Sequence, residues 1–309
     1  MMTCTSAADA LAEPLAATAA HARTWLLLEQ PGPWGAKALT ESRLDPALGA
    51  LLESAGAPHG VRVALIRSTG RHAATEAPRR AFLAHTAPGA SWVRTTTLAS
   101  PHRLTALDFA ALGAGRHEGL WEPRTTAAPL ALVCTNGRRD LCCARLGRPH
   151  AEELSATADA EVWEVSHLGG HRFAPTLLVL PYGYAYGRAT ADSARRVLAA
   201  ARRGRVLGEG CRGRSAWDRT GQAADLALRS HLGEEREDAV DVLETGDDGT
   251  RWTATVEHAC GERWLVHGAT GQGAPSPASC GSVPEPGVRQ EVLRIEPQAR
   301  SGEPTPTAV

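Results

Sequence analysis

Two short segments of the chain concentrate cysteine and histidine, side chains that bind transition metals in proteins. The first segment holds Cys134, Cys142 and Cys143, and the second holds His167 and His171. Two thiolates and two imidazoles make a complete four-ligand set for zinc or for an iron-sulfur cluster. The sequence therefore predicts metal or redox chemistry at these segments, with a purely structural role as the alternative.

The spacing within the two segments narrows the kind of site. Eight residues separate Cys134 from Cys143, whereas a zinc-finger knuckle has about two to four, so a broad loop around a larger group is favoured. His167 and His171 have the spacing of a helical metal-binding pair, but the two glycines between them disfavour a helix by about 1 kcal/mol each. A glycine loop instead lets backbone N–H groups approach a ligand closely.

Both segments follow predicted buried strands. The strands are predicted over residues 129–135 and 161–166, with a polar loop over 136–143 and a helix over 149–155 between them. In an α/β sheet, the loops beyond the carboxyl ends of neighbouring strands lie side by side. We therefore expect the cysteines and histidines to converge at one edge of a sheet.

A similar order of elements occurs earlier in the chain. The pattern predicts a strand over 24–29, a helix over 45–54 and a strand over 61–67, which together make a βαβ unit. Asp45 is well placed as the N-cap of this helix and Pro46 as its first residue.

Part of the two units also matches in sequence. Residues 63–72 can be laid over residues 162–171 apart from one residue of slippage. This match predicts an internal duplication. The first copy has no cysteine at the equivalent positions and only His72 beside Ser68, so we expect it to bind no metal and to serve as scaffold.

The rest of the chain predicts a β-hairpin over residues 176–188 and two helices over 191–203 and 222–231. A small antiparallel β extension is predicted from the strands 252–257, 264–267 and 288–295. We expect two domains, a degenerate one over residues 23–126 and a metal-binding one over residues 127–235. Outside them we expect a peripheral segment over residues 1–22, a β extension over 236–297 and a flexible tail over 298–309.

Composition excludes several classes of protein. The 309 residues carry 33 basic and 34 acidic side chains, and 43% are hydrophobic, which is typical of a globular protein with no global attraction to nucleic acid. The apolar runs are too short to span a membrane, and no targeting signal is recognisable at the beginning, so we expect a cytoplasmic protein. Seven cysteines in a reducing compartment favour metal or redox chemistry over disulfides.

Five segments have distinctive sequences: CTNGRRDLCC at 134–143, GRP at 147–149, WEVSHLGGHRFAP at 163–175, LP at 180–181 and YGR at 186–188. They resemble the sucrase/ferredoxin-like family, which is related to the thioredoxin-like 2Fe-2S ferredoxins. The resemblance covers roughly residues 20–235. It implies an α/β protein with a thioredoxin-like ferredoxin fold, in two tandem copies if the duplication holds. It also implies a 2Fe-2S cluster bound by Cys134, Cys143, His167 and His171, with Cys142 as a spare thiol.

The expected function is electron transfer or redox sensing with a redox protein partner, a reductase or an electron acceptor, and without nucleic acid or membrane. Arg212 and Arg214 are a candidate positive docking patch for this partner, with a solvated entry to a helix as the alternative. The remaining candidates for a second metal site, which include Cys260 and Cys280, lack ligand spacing, so we expect core or surface roles for them.

Two alternatives remain open. The first is a structural zinc protein, and the second is a sucrose-cleaving hydrolase, as the family name suggests. Glycoside hydrolysis uses a pair of facing carboxylates, and the sequence nominates no such pair.

Overall fold

The structure, a computed structural model, describes residues 2–70 and 78–298, and this part of the chain contains six α-helices and fourteen β-strands. The helices are α1 (Cys4–Ala10), α2 (Pro46–Gly56), α3 (Phe109–Gly113), α4 (Leu141–Thr157), α5 (Ala191–Arg202) and α6 (Arg219–Leu232). The first strands are β1 (Thr24–Glu29), β2 (Val61–Arg67), β3 (Arg79–His85), β4 (Trp92–Leu98), β5 (Glu122–Pro123), β6 (Leu130–Cys134) and β7 (Glu161–Val165). The others are β8 (Leu177–Leu180), β9 (Tyr184–Tyr186), β10 (Cys211–Arg214), β11 (Val240–Asp247), β12 (Arg251–His258), β13 (Arg263–Pro277) and β14 (Pro284–Gln298).

Ten strands form one large mixed sheet in the order β10-β9-β8-β6-β7-β2-β1-β3-β4-β5. Its two halves repeat one arrangement, β2-β1-β3-β4 in the first and β7-β6-β8-β9 in the second. In each half the first two strands are parallel and the other pairs are antiparallel. The halves meet where β2 pairs antiparallel with β7. His72, which the duplication places opposite His171, lies outside the described residues.

A second, four-stranded antiparallel sheet follows, in the order β11-β12-β13-β14. Val240 and Trp252 of this sheet pack with Ala224 and Leu228 of α6 in one buried apolar cluster. The predicted mixed α/β protein with a C-terminal antiparallel β extension is therefore confirmed at this level. In the described part of the chain, no helix combines the length and the apolar character needed to cross a membrane.

The predicted start of α2 is confirmed. Asp45 is the N-cap, its side chain accepts a hydrogen bond from the Ala47 backbone N–H at 2.9 Å, and Pro46 is the first helical residue. Proline suits this position because its missing N–H would have no partner within the helix.

The prediction of a loop over 136–143 and a helix only over 149–155 is wrong, because α4 begins at Leu141. Asp140 is the N-cap and accepts a hydrogen bond from the Cys142 backbone N–H at 2.8 Å. Pro149 lies inside the helix, where it removes one backbone hydrogen bond without ending it. Cys142 and Cys143 therefore lie on the first turn of a helix and not in a broad loop.

The two halves of the large sheet share one apolar core. Trp25 and Phe82 of the first half lie in the same buried cluster as Leu132 and Trp163 of the second. Phe82 and Trp163 make an edge-to-face contact with ring centroids 5.7 Å apart, a favoured geometry for aromatic pairs. The two halves are therefore joined both by core packing and by the β2–β7 strand pairing.

A buried ion pair also links the halves. Arg67 at the end of β2 donates from Nε and Nη2 to Oε2 of Glu164 in β7, at 2.9 and 2.6 Å. Thr135, directly after β6, donates its hydroxyl to the same oxygen at 2.6 Å. The Arg67 guanidinium lies 4.2 Å from the centroid of the Trp34 ring, within cation–π distance.

We expect stability to fall in mild acid because of His85. Its burial, with the charges of Arg23 and Arg214, lowers the pKa of this imidazole to about 4. The unfolded chain then binds more protons than the folded chain between about pH 6.5 and 4, so stability decreases as the pH falls through that window. The free energy of unfolding measured with urea should be about 1–2 kcal/mol lower at pH 5 than at pH 7.5 because of His85.

The control is His85→Asn, which retains a donor for Thr24 Oγ1, the atom 2.8 Å from His85 Nδ1. This variant should lose less stability on acidification than the parent. An equal loss in parent and variant would refute the role of His85.

Candidate metal centre

The structure brings the predicted cysteine ligands together at the carboxyl end of β6. Cys134 is the last residue of this strand, and Cys143 lies on the first turn of α4, with 3.6 Å between the two sulfur atoms. Gly147 allows this approach, because an added Cβ there would clash with the carbonyl oxygen of Cys134. Both cysteines are buried.

The predicted histidines lie on the neighbouring loop after β7. His171 Nδ1 is 3.3 Å from the sulfur of Cys143, and the His167 and His171 rings have centroids 4.9 Å apart. Gly169 and Gly170 have φ angles of +78° and +72°, so this segment is a loop and not a helix, as predicted. Nδ1 of His167 is buried and has no hydrogen-bond partner among the described residues, as expected of a nitrogen meant for a ligand.

Local electrostatics favour the metal-binding forms of Cys134 and His171 but not that of Cys143. The contact with the Cys143 thiol, followed by the neighbouring His167 imidazole and the Leu168 backbone N–H, holds the pKa of Cys134 well below its ordinary value despite its burial. The same contact with Cys134, together with burial, raises the pKa of Cys143. Burial lowers the pKa of His171 and so favours the neutral imidazole that binds metals. The lowered pKa of Cys134 favours the thiolate form that binds metals.

Arg212 supports the histidine loop from behind. Its guanidinium donates to the carbonyl oxygen of Gly169 at 3.0 Å, to Oγ1 of Thr18 at 3.0 Å and to the Thr18 carbonyl oxygen. Arg212 and Arg214 are both buried, at 1% and 0% exposure. The predicted positive docking patch at these arginines is therefore wrong, because both guanidiniums are used inside the protein.

A basic cavity opens beside the candidate ligands. It has a volume of about 560 Å³, and the candidate ligand His167 lies in its wall. Lys37, Arg62 and Arg139 also line it, and Glu53 is the only acidic residue among its described lining residues. The cavity is thus suited to an anionic group that approaches His167.

A second group of sulfur atoms lies close to the first site. The donor atoms of Cys4, Asp140, Cys142 and Cys280 all lie within 4.8 Å of one another, and this group could hold a metal ion. Among the described residues, no other group of three or more such donors is as compact. Cys142 is therefore not an isolated spare thiol, and Cys280 is not a simple core or surface residue.

Sequence spacing could not reveal this second group. Cys4 is in α1, Asp140 and Cys142 begin α4, and Cys280 lies at the tip of the β13–β14 hairpin. These segments are separated by more than a hundred residues, with 136 positions between Cys4 and Asp140 and 140 between Asp140 and Cys280. The one available signal was the adjacent pair of cysteines at 142 and 143, since both cannot face the same site easily.

Comparison with known proteins identifies the family of the chain. The family model described as sucrase/ferredoxin-like matches residues 15–213, a range that includes both candidate cysteines, both histidines and the histidine loop. No curated protein matches the chain, and no solved structure does. Because the model covers well over half of the sequence, the chain belongs to the sucrase/ferredoxin-like family.

Proposed function

We propose that the protein is an iron-sulfur electron carrier or redox sensor, with a 2Fe-2S cluster bound by Cys134, Cys143, His167 and His171. The observation that carries this proposal is the convergence of two thiols and two imidazoles from the ends of adjacent strands. Iron-sulfur clusters accept thiolates and, in some proteins, two histidines on one iron. The residues present therefore fit the group.

The spread of the four donors supports a cluster over a single zinc ion. A single tetrahedral ion needs all of its donors within about 4 Å of one another. Cys134 and Cys143 meet this condition at 3.6 Å, and Cys143 and His171 do so at 3.3 Å. The four candidate ligands together are nevertheless spread more widely than the donor atoms of Cys4, Asp140, Cys142 and Cys280. This wider spacing suits a cofactor with more than one metal atom.

When bound, a 2Fe-2S cluster accepts and releases one electron. The chain would hold it with two anionic thiolates and two neutral imidazoles, a set less negative than four thiolates. The lower negative charge favours the reduced form and raises the reduction potential, as in Rieske proteins. Burial of Cys134 and Cys143 excludes water from the thiolate side, while the half-buried His167 lines the basic cavity.

The partner we propose is a redox protein, a reductase or an electron acceptor, that brings an acidic surface to this cavity. Lys37, Arg62 and Arg139 would attract it electrostatically and orient it towards His167. The seven free cysteines suit a reducing compartment, and we propose the cytoplasm.

We also propose that each half of the large sheet is a thioredoxin-like unit and that the two are tandem copies. The identical strand order in the two halves supports this interpretation. The first unit would span residues 23–126 and serve as scaffold, and the second would span residues 127–235 and bind the cluster. The sheet of residues 236–297 would be a separate addition.

The rival functions receive less support. A hydrolase that cleaves sucrose would need two facing carboxylates, and the cavity beside the candidate ligands offers only Glu53 among its described lining residues. Zinc at the first site would have to draw the four donors closer together than they lie.

Metal analysis tests the proposed function. Protein purified without oxygen should contain about two iron atoms and about two acid-labile sulfides per chain and should absorb visible light, because only the second unit has the ligands. Four iron atoms with matching sulfide would indicate a second cluster and contradict the scaffold role of the first unit. Zinc alone, without iron or colour, would refute the proposal of a cluster.

A further inference from the structure

The sulfur atoms of Cys4, Cys142 and Cys280 form a triangle. Their separations are 3.6 Å between Cys4 and Cys142, 3.3 Å between Cys142 and Cys280, and 3.6 Å between Cys280 and Cys4. Three thiolates around one tetrahedral zinc, with Zn–S bonds of about 2.3 Å, would lie about 3.8 Å apart. The three thiols are thus almost in the positions of three zinc ligands.

Asp140 completes the set. Both of its carboxylate oxygens lie 3.6 Å from the sulfur of Cys4, and a carboxylate oxygen and a thiolate on one zinc would be about 3.5 Å apart. Its oxygens also accept hydrogen bonds from the backbone N–H groups of Cys142 at 2.8 Å and Cys280 at 2.7 Å. These bonds fix the carboxylate and leave further lone pairs free for a cation.

Packing alone does not explain why these cysteines meet. Cys4 and Cys142 form a small buried cluster with Ala174 and the partly buried Cys280, separate from the large apolar cores. Three chain segments that are distant in sequence thus meet at three sulfur atoms and the carboxylate of Asp140. A bound metal ion would supply the stabilisation that such a small apolar cluster cannot, because structural zinc sites contribute folding free energy directly.

We propose that Cys4, Cys142, Cys280 and Asp140 bind one structural zinc ion, distinct from the iron-sulfur site. On binding, each thiol loses its proton to solvent and each thiolate donates an electron pair to Zn²⁺, with no change of oxidation state. The site fastens α1 and the β13–β14 hairpin to the first turn of α4. Cys4 and Cys280 lie outside the residues that the family model matches, so the family match assigns no role to them.

The zinc ion also secures a cover over the histidine loop. Thr5 of α1 donates its hydroxyl to the carbonyl oxygen of His171 at 3.3 Å. Glu13, just after α1, pairs with Arg172 at 2.7 Å and accepts a hydrogen bond from Ser276 of β13 at 3.0 Å. Tethering at Cys4 and Cys280 therefore holds both covering segments against the residues that follow His171.

The test measures zinc and iron in the same preparations of the full-length chain. The parent should retain about one zinc ion per chain after dialysis. Cys4→Ser and Cys280→Ser should each reduce this zinc roughly tenfold or more, since a hydroxyl is a poor replacement for a thiolate, and should leave the iron content unchanged. The matched control is Cys260→Ser at an exposed cysteine, which should change neither metal.

A measurement on the parent itself covers the case in which a variant fails to fold. Growth with Co²⁺ in place of zinc should give protein whose spectrum has the bands of tetrahedral, thiolate-bound cobalt. Zinc retained at parental levels in both serine variants would overturn the proposal, as would a disulfide between any two of these three cysteines in freshly isolated protein. If the iron-sulfur site instead binds zinc, Cys4→Ser still removes only one of two zinc ions, so the two proposals fail separately.

Discussion

Serine substitutions at the adjacent residues Cys142 and Cys143 should have opposite effects on the two metals. Cys143→Ser should abolish iron incorporation and visible absorbance, because the sulfur of Cys143 lies 3.6 Å from Cys134 and 3.3 Å from His171, and serine is a poor iron ligand. Cys142→Ser should retain the iron, because its side chain points to Cys4 and Cys280, but should lose the zinc. Iron, sulfide and zinc analysis with optical spectra distinguishes these outcomes.

Two further variants check the assignment. Cys134→Ser should reproduce the loss seen for Cys143→Ser, whereas Cys211→Ser, at a buried cysteine in neither group, should retain both metals. Colourless protein from Cys142→Ser together with a normal spectrum for Cys143→Ser would mean that the ligand assignment on α4 is off by one residue.

Breaking the buried Arg67–Glu164 ion pair between the two halves of the sheet should cost far more stability than breaking an exposed ion pair. Glu164→Gln leaves the guanidinium of Arg67, which is about 10% exposed, without its carboxylate. Removal of one partner of a buried pair typically destabilises a protein by about 3–5 kcal/mol. Urea unfolding of the metal-free proteins at neutral pH measures the effect.

The exposed pair Arg116–Glu118 provides the matched control. Glu118→Gln should change the free energy of unfolding by less than about 1 kcal/mol. The double variant Arg67→Met/Glu164→Leu should recover much of the stability lost in Glu164→Gln, since it leaves no unpaired buried charge. A loss below about 1 kcal/mol in Glu164→Gln would show that the pair does not hold the halves together.

The sequence predicted the convergence of the four candidate ligands because local patterns determine it. The apolar runs that end at Cys134 and Val165 are strands in the structure, and parallel neighbours must end at one edge. The two glycines after His167 indicated a loop correctly, since both have positive φ angles. Family membership, inferred from the same residues, is confirmed over residues 15–213.

Other features depend on contacts that no local pattern contains. The first turn of α4 was missed because Pro149 and the polar residues before Asp140 resemble a loop, while the capping contact that starts the helix is a single side chain. The pairing of Ile66 with Val165 that joins the halves is a long-range contact. The burial of Arg212 and Arg214 likewise follows from partners such as Thr18 and Glu237, which are remote in sequence.

The contacts of the first twenty residues with later parts of the chain impose an order on folding. Thr18 pairs with the backbone of Arg212, and Cys4 meets a cysteine 276 positions away. A ribosome that adds about 5–20 residues per second needs roughly 10–60 s to produce the residues between Cys4 and Cys280. During that interval residues 134–171 have already emerged, while Ser276 and Cys280, which contact the segment that covers His171, have not. The nascent protein therefore presents its histidine loop before the β13–β14 hairpin exists to hold the amino-terminal segment in place.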